Sequence, residues 1–423
     1  MTEPKPTLGI FGAGWVGLVT GACFADLGHE VVVRDVVRAK IEELNAGRLP
    51  FHEPGLAELI ERNRERLTFT LDADELKANA QIFFSCVDTP PGPSGEANLA
   101  PVWSVVGDLG SPAGAILVMK STVPVGAGER IRSELDPSVG YVSNPEFLSE
   151  GRAIEDFRQP DRIVIGAFEA EHGDRVAGLY DGFGAPIVRT SVPSAEMIKL
   201  ASNAYLATRI SFINEIANVS EAVGANVDDV ARGMGLDARI GTSYLRPGVG
   251  YGGSCYPKDV SFLKLLAGSS GYHFQLLSAV MEVNELQKRR LLGKLKEHLG
   301  DLRGKSIALL GLAFKPGTDD MRAAPSLVLS ALLRAEGAEV RAWDPLVKAH
   351  PELDGVVVEA SVLDALRGAD AAVIVTEWPE LADIASPEVH GAMRTPLIVD
   401  GRNLLDPEAV RAAGFDYEGI GRP

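Results

Sequence analysis

The chain has 423 residues, 46% of them hydrophobic and 23% charged, with a formal net charge of −17. At about 150 residues per domain this globular composition implies two or three domains, with apolar material for more than one core. The acidic field repels nucleic acid and anionic membranes, so neither is an expected partner, and an anionic ligand needs locally placed Arg and Lys.

Three cysteines, Cys23, Cys86 and Cys255, are too few and too scattered for a disulfide framework. No CxxC pair offers the usual zinc spacing, so no metal is expected. The N-terminus lacks a charged-then-apolar signal pattern, and no run reaches the ~18 apolar residues of a membrane span. The expectation is a soluble protein of a reducing cytoplasm.

Residues 7–12, TLGIFG, predict an apolar strand ending in glycine. GAGWVG follows, then a helical VGLVTGACFADLG and a second strand, EVVVRD, which together make a βαβ unit. Strand-like runs recur at 81–87, 115–121, 139–145 and 162–167 with helical stretches between several of them. That alternation argues a doubly wound parallel sheet. Residues 194–223 predict one long helix, capped by Ser194, ended by Gly224 and free of proline. At about 1.5 Å per residue it would span roughly 45 Å. Helical pattern continues at 257–267 and 274–299. From 305 the strand–helix–strand pattern restarts with KSIALLGLAF, a helix around 325–336, AEVRAWDP, AAVIVT and PLIVDG. The expected fold class is α/β: two Rossmann-like doubly wound domains, 1–193 and 301–423, joined by a central helical domain, 194–300.

Four places carry chemistry. Gly12, Gly14 and Gly17 spell G-x-G-x-x-G between a strand and a helix. The first allows a tight turn, the second lets a pyrophosphate approach the backbone, and the third lets helix and strand pack closely. The helix N-terminus offers free N–H groups to phosphates. Asp35 ends the second strand, where a carboxylate accepts hydrogen bonds from the ribose of NAD and repels the 2′-phosphate of NADP. Arg34 and Arg38 flank it, which leaves some NADP tolerance open. A glycine-rich turn of another α/β fold is the competing reading.

GYGGSCYPKDVSFL (250–263) places Cys255 directly before a helix whose first turn holds Pro257. The helix dipole there favours a thiolate. Gly252 and Gly253 would let a ligand approach the backbone. Asp259, one turn away, could hold a water or a developing hydroxyl, so the segment suits a cysteine nucleophile. A packed, inert thiol is the alternative, and it is the reading for Cys23 and Cys86. On the long helix, Lys199 and Asn203 stand at i and i+4 and share a face. Lys199 could stabilise an oxyanion, and Asn203 could orient a hydroxyl or a water. A snorkelling lysine and a surface asparagine are the bland alternative. Glu146 and Glu150, in NPEFLSEG, follow a strand whose C-terminal end points at the ligand crevice. One could act as general base, against two acids in a solvated loop.

Taken together these blocks resemble the nucleotide-sugar dehydrogenases, the UDP-glucose/GDP-mannose dehydrogenase family. The likeness spans nearly the whole chain and rests on GAGWVG with Asp35, VDTP (87–90), KSTVPVG (120–126), NPEFLSEG (144–151), EMIKLASNAY (196–205), DARIG (237–241), GYGGSCYPKD (250–259) and LLGLAFKPGTDDMR (309–322). The resemblance implies a four-electron oxidation of a sugar CH₂OH to a carboxylate with two NAD⁺. Cys255 would carry a thiohemiacetal and then a thioester. By the same matching Lys199 and Asn203 stabilise oxyanions, and Asp259 positions water. Glu150 is the hydrolytic base or places its water with Thr122, and Glu146 is an acid/base or a sugar contact. For NAD the match takes in Gly12, Gly14, Val16, Gly17, Asp35 and Arg38, and adds Thr89, Thr122, Glu150 and Arg322. For the nucleotide sugar it points to Glu146, Phe147, Leu148, Lys199, Asn203, Arg239, Tyr244, Tyr251, Gly252, Lys315 and Arg402. Arg239 resembles an arginine that reaches a neighbouring subunit's substrate, the C-terminal domain would bind the nucleotide, and the long helix would form the core of a homodimer. Trp15, Tyr256 and Ala323 depart from the commonest residues at their positions.

DARIG favours UDP-glucose, whereas LRPG (245–248) resembles the GDP-mannose branch somewhat. A two-electron β-hydroxyacid dehydrogenase shares the K-x-x-x-N helix, but Cys255 and residues 305–423 argue against it. A nucleotide-sugar sensor that kept the fold is the non-catalytic alternative.

Overall fold

Short, wholly apolar segments flanked by glycine and polar turns become buried parallel strands, because only a sheet covered on both faces accepts them. In the computed structural model, which describes residues 5–423, eight strands form the first sheet. They are β1 (Leu8–Phe11), β2 (Val31–Arg34), β3 (Leu67–Thr70), β4 (Ile82–Ser85), β5 (Ile116–Met119), β6 (Gly140–Ser143), β7 (Ile163–Ala167) and β8 (Ile187–Thr190). Their order is β3-β2-β1-β4-β5-β6-β7-β8. The strand order reverses between β1 and β4, and crevices for ligands open at the carboxyl ends of strands at such a point. The N-terminal signal reading begins on residues 1–4, outside the described residues.

The second sheet has β9 (Ser306–Leu310), β10 (Glu339–Trp343), β11 (Val357–Val358), β12 (Ala371–Ile374), β13 (Leu397–Asp400) and β14 (Asp416–Glu418). Its order, β11-β10-β9-β12-β13-β14, repeats the same reversal. Every pairing in it is parallel. By internal packing the chain divides into two compact units. One runs to Ser202 and includes Ser261–Tyr272, and the other comprises Asn203–Val260 and His273–Pro423. The first unit has an apolar cluster on each face of its sheet, and the second has one continuous core.

Two expectations need correction, and two details were not legible in sequence. The first sheet is not wholly parallel, because β7 runs against β6. The segment between them returns the chain to the same end of the sheet, which places neighbouring strands antiparallel. The long helix begins at Val192, so Ser194 lies inside it. Ser191 takes the capping position instead, its Oγ accepting from the Ser194 N–H at 3.4 Å. Gly224, at φ 74°, follows the last helical residue. The pattern at 274–299 is two helices, Gln275–Gln287 and Arg290–Leu299. The strands β3, β8, β11 and β14 and the helix Val227–Gly235 had no sequence assignment. The four strands have two to four residues each and lie at sheet edges, where no apolar run is required.

Candidate active site

The glycines of the first turn are required by the backbone. Gly12 has φ +100°, and a Cβ on it would lie 2.8 Å from the Cys86 carbonyl oxygen. On Gly17 a Cβ would lie 1.9 Å from the Gly12 carbonyl oxygen. Gly14 precedes the helix Trp15–Asp26 and has open space in front of it. A bare turn at a helix N-terminus with room before it fits a dinucleotide pyrophosphate. Val16 packs on the core from this turn. Asp35 is buried and accepts from Ala13 N (2.8 Å), Val37 N (2.9 Å) and Lys40 Nζ (2.9 Å). Burial alone would raise its carboxyl, but those two N–H groups and the ammonium hold it below the usual carboxylate range. Arg34 is engaged by Asp108 at 2.5 Å, whereas Arg38 is exposed, with Glu42 at 3.9 Å. The cation that sequence reading missed here is Lys40, hidden among the charges of its helix.

Next to this turn, at the carboxyl ends of β4 and β5, Thr89 Oγ1 donates to the Thr122 carbonyl at 2.7 Å and Ser121 Oγ donates to the Val87 carbonyl at 2.7 Å. The loop after Thr122 is tied to the long helix by Glu196, which accepts from Gly126 N and Gly128 N at 2.8 and 2.7 Å. Burial pushes the Glu196 carboxyl up to about 7, against the pull of those two N–H groups.

At the end of β6, Glu146 is buried and ion-paired with Lys199 at 2.7 Å. Its other oxygen accepts from Leu148 N at 2.7 Å. Burial favours the neutral acid, but Lys199, the Leu148 N–H and Lys120 outweigh it and keep the carboxyl below its ordinary range. An ionised, doubly engaged Glu146 is suited to accept a hydrogen bond rather than to donate one. Two cations lie over the Phe147 ring, Arg162 at 3.5 Å and Lys199 at 5.4 Å from its centroid. Leu148 packs on the core. Glu150 is buried, and the loop beyond it is anchored by Glu53. That carboxylate accepts from Gly151 N, Ala153 N and Trp15 Nε1 at 2.8, 2.9 and 2.8 Å. Glu53 thus joins the cofactor turn to the Glu150 loop, and nothing in FHEPGL signalled it.

In the second unit, the Cys255 carbonyl accepts the first helical hydrogen bond, from Asp259 N at 2.9 Å, so Cys255 is the N-cap of Tyr256–Ser269. Its Sγ lies 3.6 Å from Ser254 Oγ, and the side chain is partly exposed. Asp259 is wholly buried, accepting from Asn203 Nδ2 and from Lys258 Nζ, each at 2.6 Å. Those two donors leave Asp259 aimed and charge-compensated. Lys258 sat inside a quoted motif without a role.

The glycine pair is also required by the fold. A Cβ on Gly252 would lie 2.5 Å from the Ala323 carbonyl oxygen. On Gly253, at φ +81°, a Cβ would lie 2.8 Å from the Phe314 ring, and its N–H donates to the Arg322 carbonyl at 2.8 Å. Arg322 itself forms a fork on Asp320. Tyr251 is held at both backbone groups by Asn284, and its ring stands edge-on to Tyr256 at 5.9 Å. Tyr256 donates to the Tyr244 hydroxyl at 3.1 Å. Arg402 donates to the carbonyls of Val375 (2.7 Å) and Phe314 (3.1 Å), and Lys315 lies over the Phe314 ring at 5.4 Å. Arg239 stands apart, largely exposed and paired with Asp237.

Within the first unit the structure therefore brings together Glu146, Phe147, Leu148 and Lys199, with Thr89 and Thr122 tied at the neighbouring strand ends. Within the second it joins Asn203 to Asp259, and Tyr251–Cys255 to the segment bearing Arg322. Asp344, after β10, occupies the place of Asp35 in the second sheet. It is fully buried and takes N–H groups of Leu312, Ala313, Leu346 and Val347 and the Trp378 indole. With its carboxylate so filled, Asp344 braces the β9 turn instead of meeting a ribose.

Comparison with known proteins follows this geometry. Residues 7–184 match the NAD binding domain of the UDP-glucose/GDP-mannose dehydrogenase family, 193–286 its central domain and 308–407 its UDP binding domain. The UDP-glucose 6-dehydrogenase TuaD of Bacillus subtilis (strain 168) is 43% identical, over 98% of this chain and 93% of the relative. A UDP-glucose 6-dehydrogenase of Pseudomonas aeruginosa is 44% identical, over 98% and 97%. Among solved structures, a UDP-glucose dehydrogenase from the archaeon Pyrobaculum islandicum superposes with a TM-score of 0.91 at 36% identity, covering 100% of this chain and 99% of that one. With three consecutive domain matches and near-full-length relatives above 40% identity, the chain belongs to the UDP-glucose/GDP-mannose dehydrogenase family.

Proposed function

We propose that this chain oxidises UDP-glucose to UDP-glucuronate, using two NAD⁺ and one water per sugar. The observation that carries the reading is Cys255, a partly exposed thiol at a helix N-cap, in a chain similar over nearly its whole length to UDP-glucose 6-dehydrogenases. NAD, when bound, accepts the hydride in each oxidation. Gly12, Gly14, Val16, Gly17, Asp35, Arg38, Thr89 and Arg322 would hold it.

The chain's own residues divide the remaining work. The Cys255 thiolate adds to the C6 aldehyde, giving a thiohemiacetal whose oxidation leaves a thioester. Lys199 and Asn203 stabilise the oxyanions of these steps. Asp259 holds the water or the developing hydroxyl. Glu150, with Thr122, places or deprotonates the water that cleaves the thioester and returns the thiol. Glu146, ionised beside Lys199, accepts a hydrogen bond from the sugar, next to Phe147 and Leu148. Tyr244, Tyr251, Gly252, Lys315 and Arg402 take the nucleotide half, in a division of 1–193, 194–300 and 301–423 for NAD, dimerisation and UDP. A nucleophilic thiol also calls for a reducing compartment, which favours the cytoplasm. No helix among the described residues is long and apolar enough to cross a membrane.

The test is the NADH yield from limiting UDP-glucose. Two NADH per sugar are expected. One would indicate a two-electron dehydrogenase, and none would turn the test to GDP-mannose.

We further propose a homodimer built on the long helix. Tyr205, Phe212 and Val219 recur every seven residues along it and are exposed, as is Val223. Seven residues are about two turns, so they form one apolar stripe. Phe212→Glu is expected to convert the dimer to a monomer in light scattering at micromolar concentration. An unchanged mass would remove this helix from the interface. Arg239 would reach the neighbouring subunit's substrate from the same unit.

A further inference from the structure

Lys120 follows β5 at its carboxyl end and is 4% exposed. Its Nζ donates to Asn144 Oδ1 at 3.0 Å, to the Asn144 carbonyl at 3.3 Å and to the Tyr180 hydroxyl at 3.3 Å. Tyr180 in turn donates to Asn144 Oδ1 at 2.6 Å, and Asn144 Nδ2 donates to the Val164 carbonyl at 2.9 Å. The rings of Phe84 and Tyr180 flank the ammonium, each with its centroid at 5.9 Å. Among the described residues Lys120 has no ion pair, and the carboxylate that acts on it through space is Glu146, already paired with Lys199. Asn144 stands two residues before Glu146 in the chain.

We propose that Lys120 is a positioning residue for the sugar oxidation: through Asn144 it fixes the loop that carries Glu146, and its buried positive charge adds to that of Lys199 in favouring the Glu146 carboxylate. The proposal rests on the reading that Glu146 meets the sugar. A buried ammonium without its own counterion is costly, and a neutral donor could make hydrogen bonds to Asn144 without that cost. Packing and hydrogen bonding therefore do not account for the charge, whereas the Glu146 carboxylate that borders the same cavity does.

Burial lowers Lys120 to about 8, so it is charged at neutral pH and discharges in mildly alkaline solution. Facing it are the Cys86 thiol from the end of β4, pushed up to about 12 by burial, and the Tyr180 hydroxyl, raised by burial as well. Both are neutral. The remaining neighbours are the Asn144 amide, Glu146 and Lys199. A cavity of about 90 Å³ bordered by Lys120, Glu146, Arg162 and Tyr180 has room for several waters.

The experiment measures kcat and KM for UDP-glucose from pH 5 to 10, with melting temperatures, for the wild type, Lys120→Met, Tyr180→Phe and Glu146→Gln. Lys120→Met is expected to melt within a few degrees of the wild type and to lose about tenfold or more in kcat with a smaller change in KM. It should also move the acidic limb of the kcat profile upward by about one pH unit, because Glu146 has lost a positive neighbour. Tyr180→Phe keeps the charge and loosens Asn144, so kcat falls a few-fold with the acidic limb in place. If Glu146→Gln is impaired while Lys120→Met keeps wild-type kcat and limb, the proposal is overturned and the reading of Glu146 survives. If Glu146→Gln is fully active, both fall. Should Lys120→Met fail to fold, wild-type kcat in Tyr180→Phe overturns the loop-fixing role.

Discussion

Cys255→Ser is expected to lower the rate of NADH formation from UDP-glucose by about 10³-fold or more, with a melting temperature close to that of the wild type. The two halves of this expectation have separate causes. A serine hydroxyl is far more weakly acidic than a thiol, so at neutral pH it supplies almost no anion to add to an aldehyde. The fold loses little, because the side chain is partly exposed and what Cys255 gives the helix is its backbone carbonyl. Substitutions at such positions shift stability by about 0.5 kcal/mol or less. Stopped-flow absorbance of NADH and a thermal melt check the two halves. A serine variant that still yields two NADH per sugar at wild-type speed would remove the covalent route. Alkylation of Cys255 by iodoacetamide should be slowed by UDP-glucose if the thiol faces the sugar.

Lys199→Met is expected to damage both stability and turnover. Lys199 and Glu146 are both buried and 2.7 Å apart. Removing one member strands the other charge, which costs about 3–5 kcal/mol in buried pairs. The pH dependence follows in sign. In the wild type the Glu146 carboxyl is held low, so its contribution to stability is present above the unfolded carboxyl range and is lost as the pH falls through its folded value. In Lys199→Met, burial wins and the carboxyl rises above that range. The variant then carries a penalty at pH 7 that is relieved on acidification, and its melting temperature should approach that of the wild type between about pH 7 and pH 5. Adding Glu146→Gln should restore much of the melting temperature at pH 7 without restoring turnover. If the double variant melts no higher than Lys199→Met, the ion pair is not what holds that loop.

The parts of the site that were legible in sequence share one property: their residue types are required by local backbone geometry. Gly12 and Gly17 are forced by contacts with Cys86 and with each other across one turn, so they are visible as a spacing. Cys255 is visible because an N-cap and a proline in the first turn are local features. By contrast Glu53 meets Gly151 and Ala153 about a hundred residues away, and Asn284 meets Tyr251 across 33. No period or motif encodes such distances. The glycine pair at 252–253 is visible in sequence, but the close approach of the chain at Phe314 and Ala323 is one that only folding brings there.

By itself, then, the sequence determined the two doubly wound sheets, the long helix, the dinucleotide turn and the cysteine cap, since apolar period, glycine spacing and capping residues act within a few positions of one another. Tertiary structure alone decided the reversal of β7 against β6, the break at 288–289 and the pairings Lys199–Glu146, Asn203–Asp259 and Lys120–Asn144. Each pairing brings a charge or amide into an interior where it needs one particular partner, and which partner it meets depends on how strands and helices from distant parts of the chain pack.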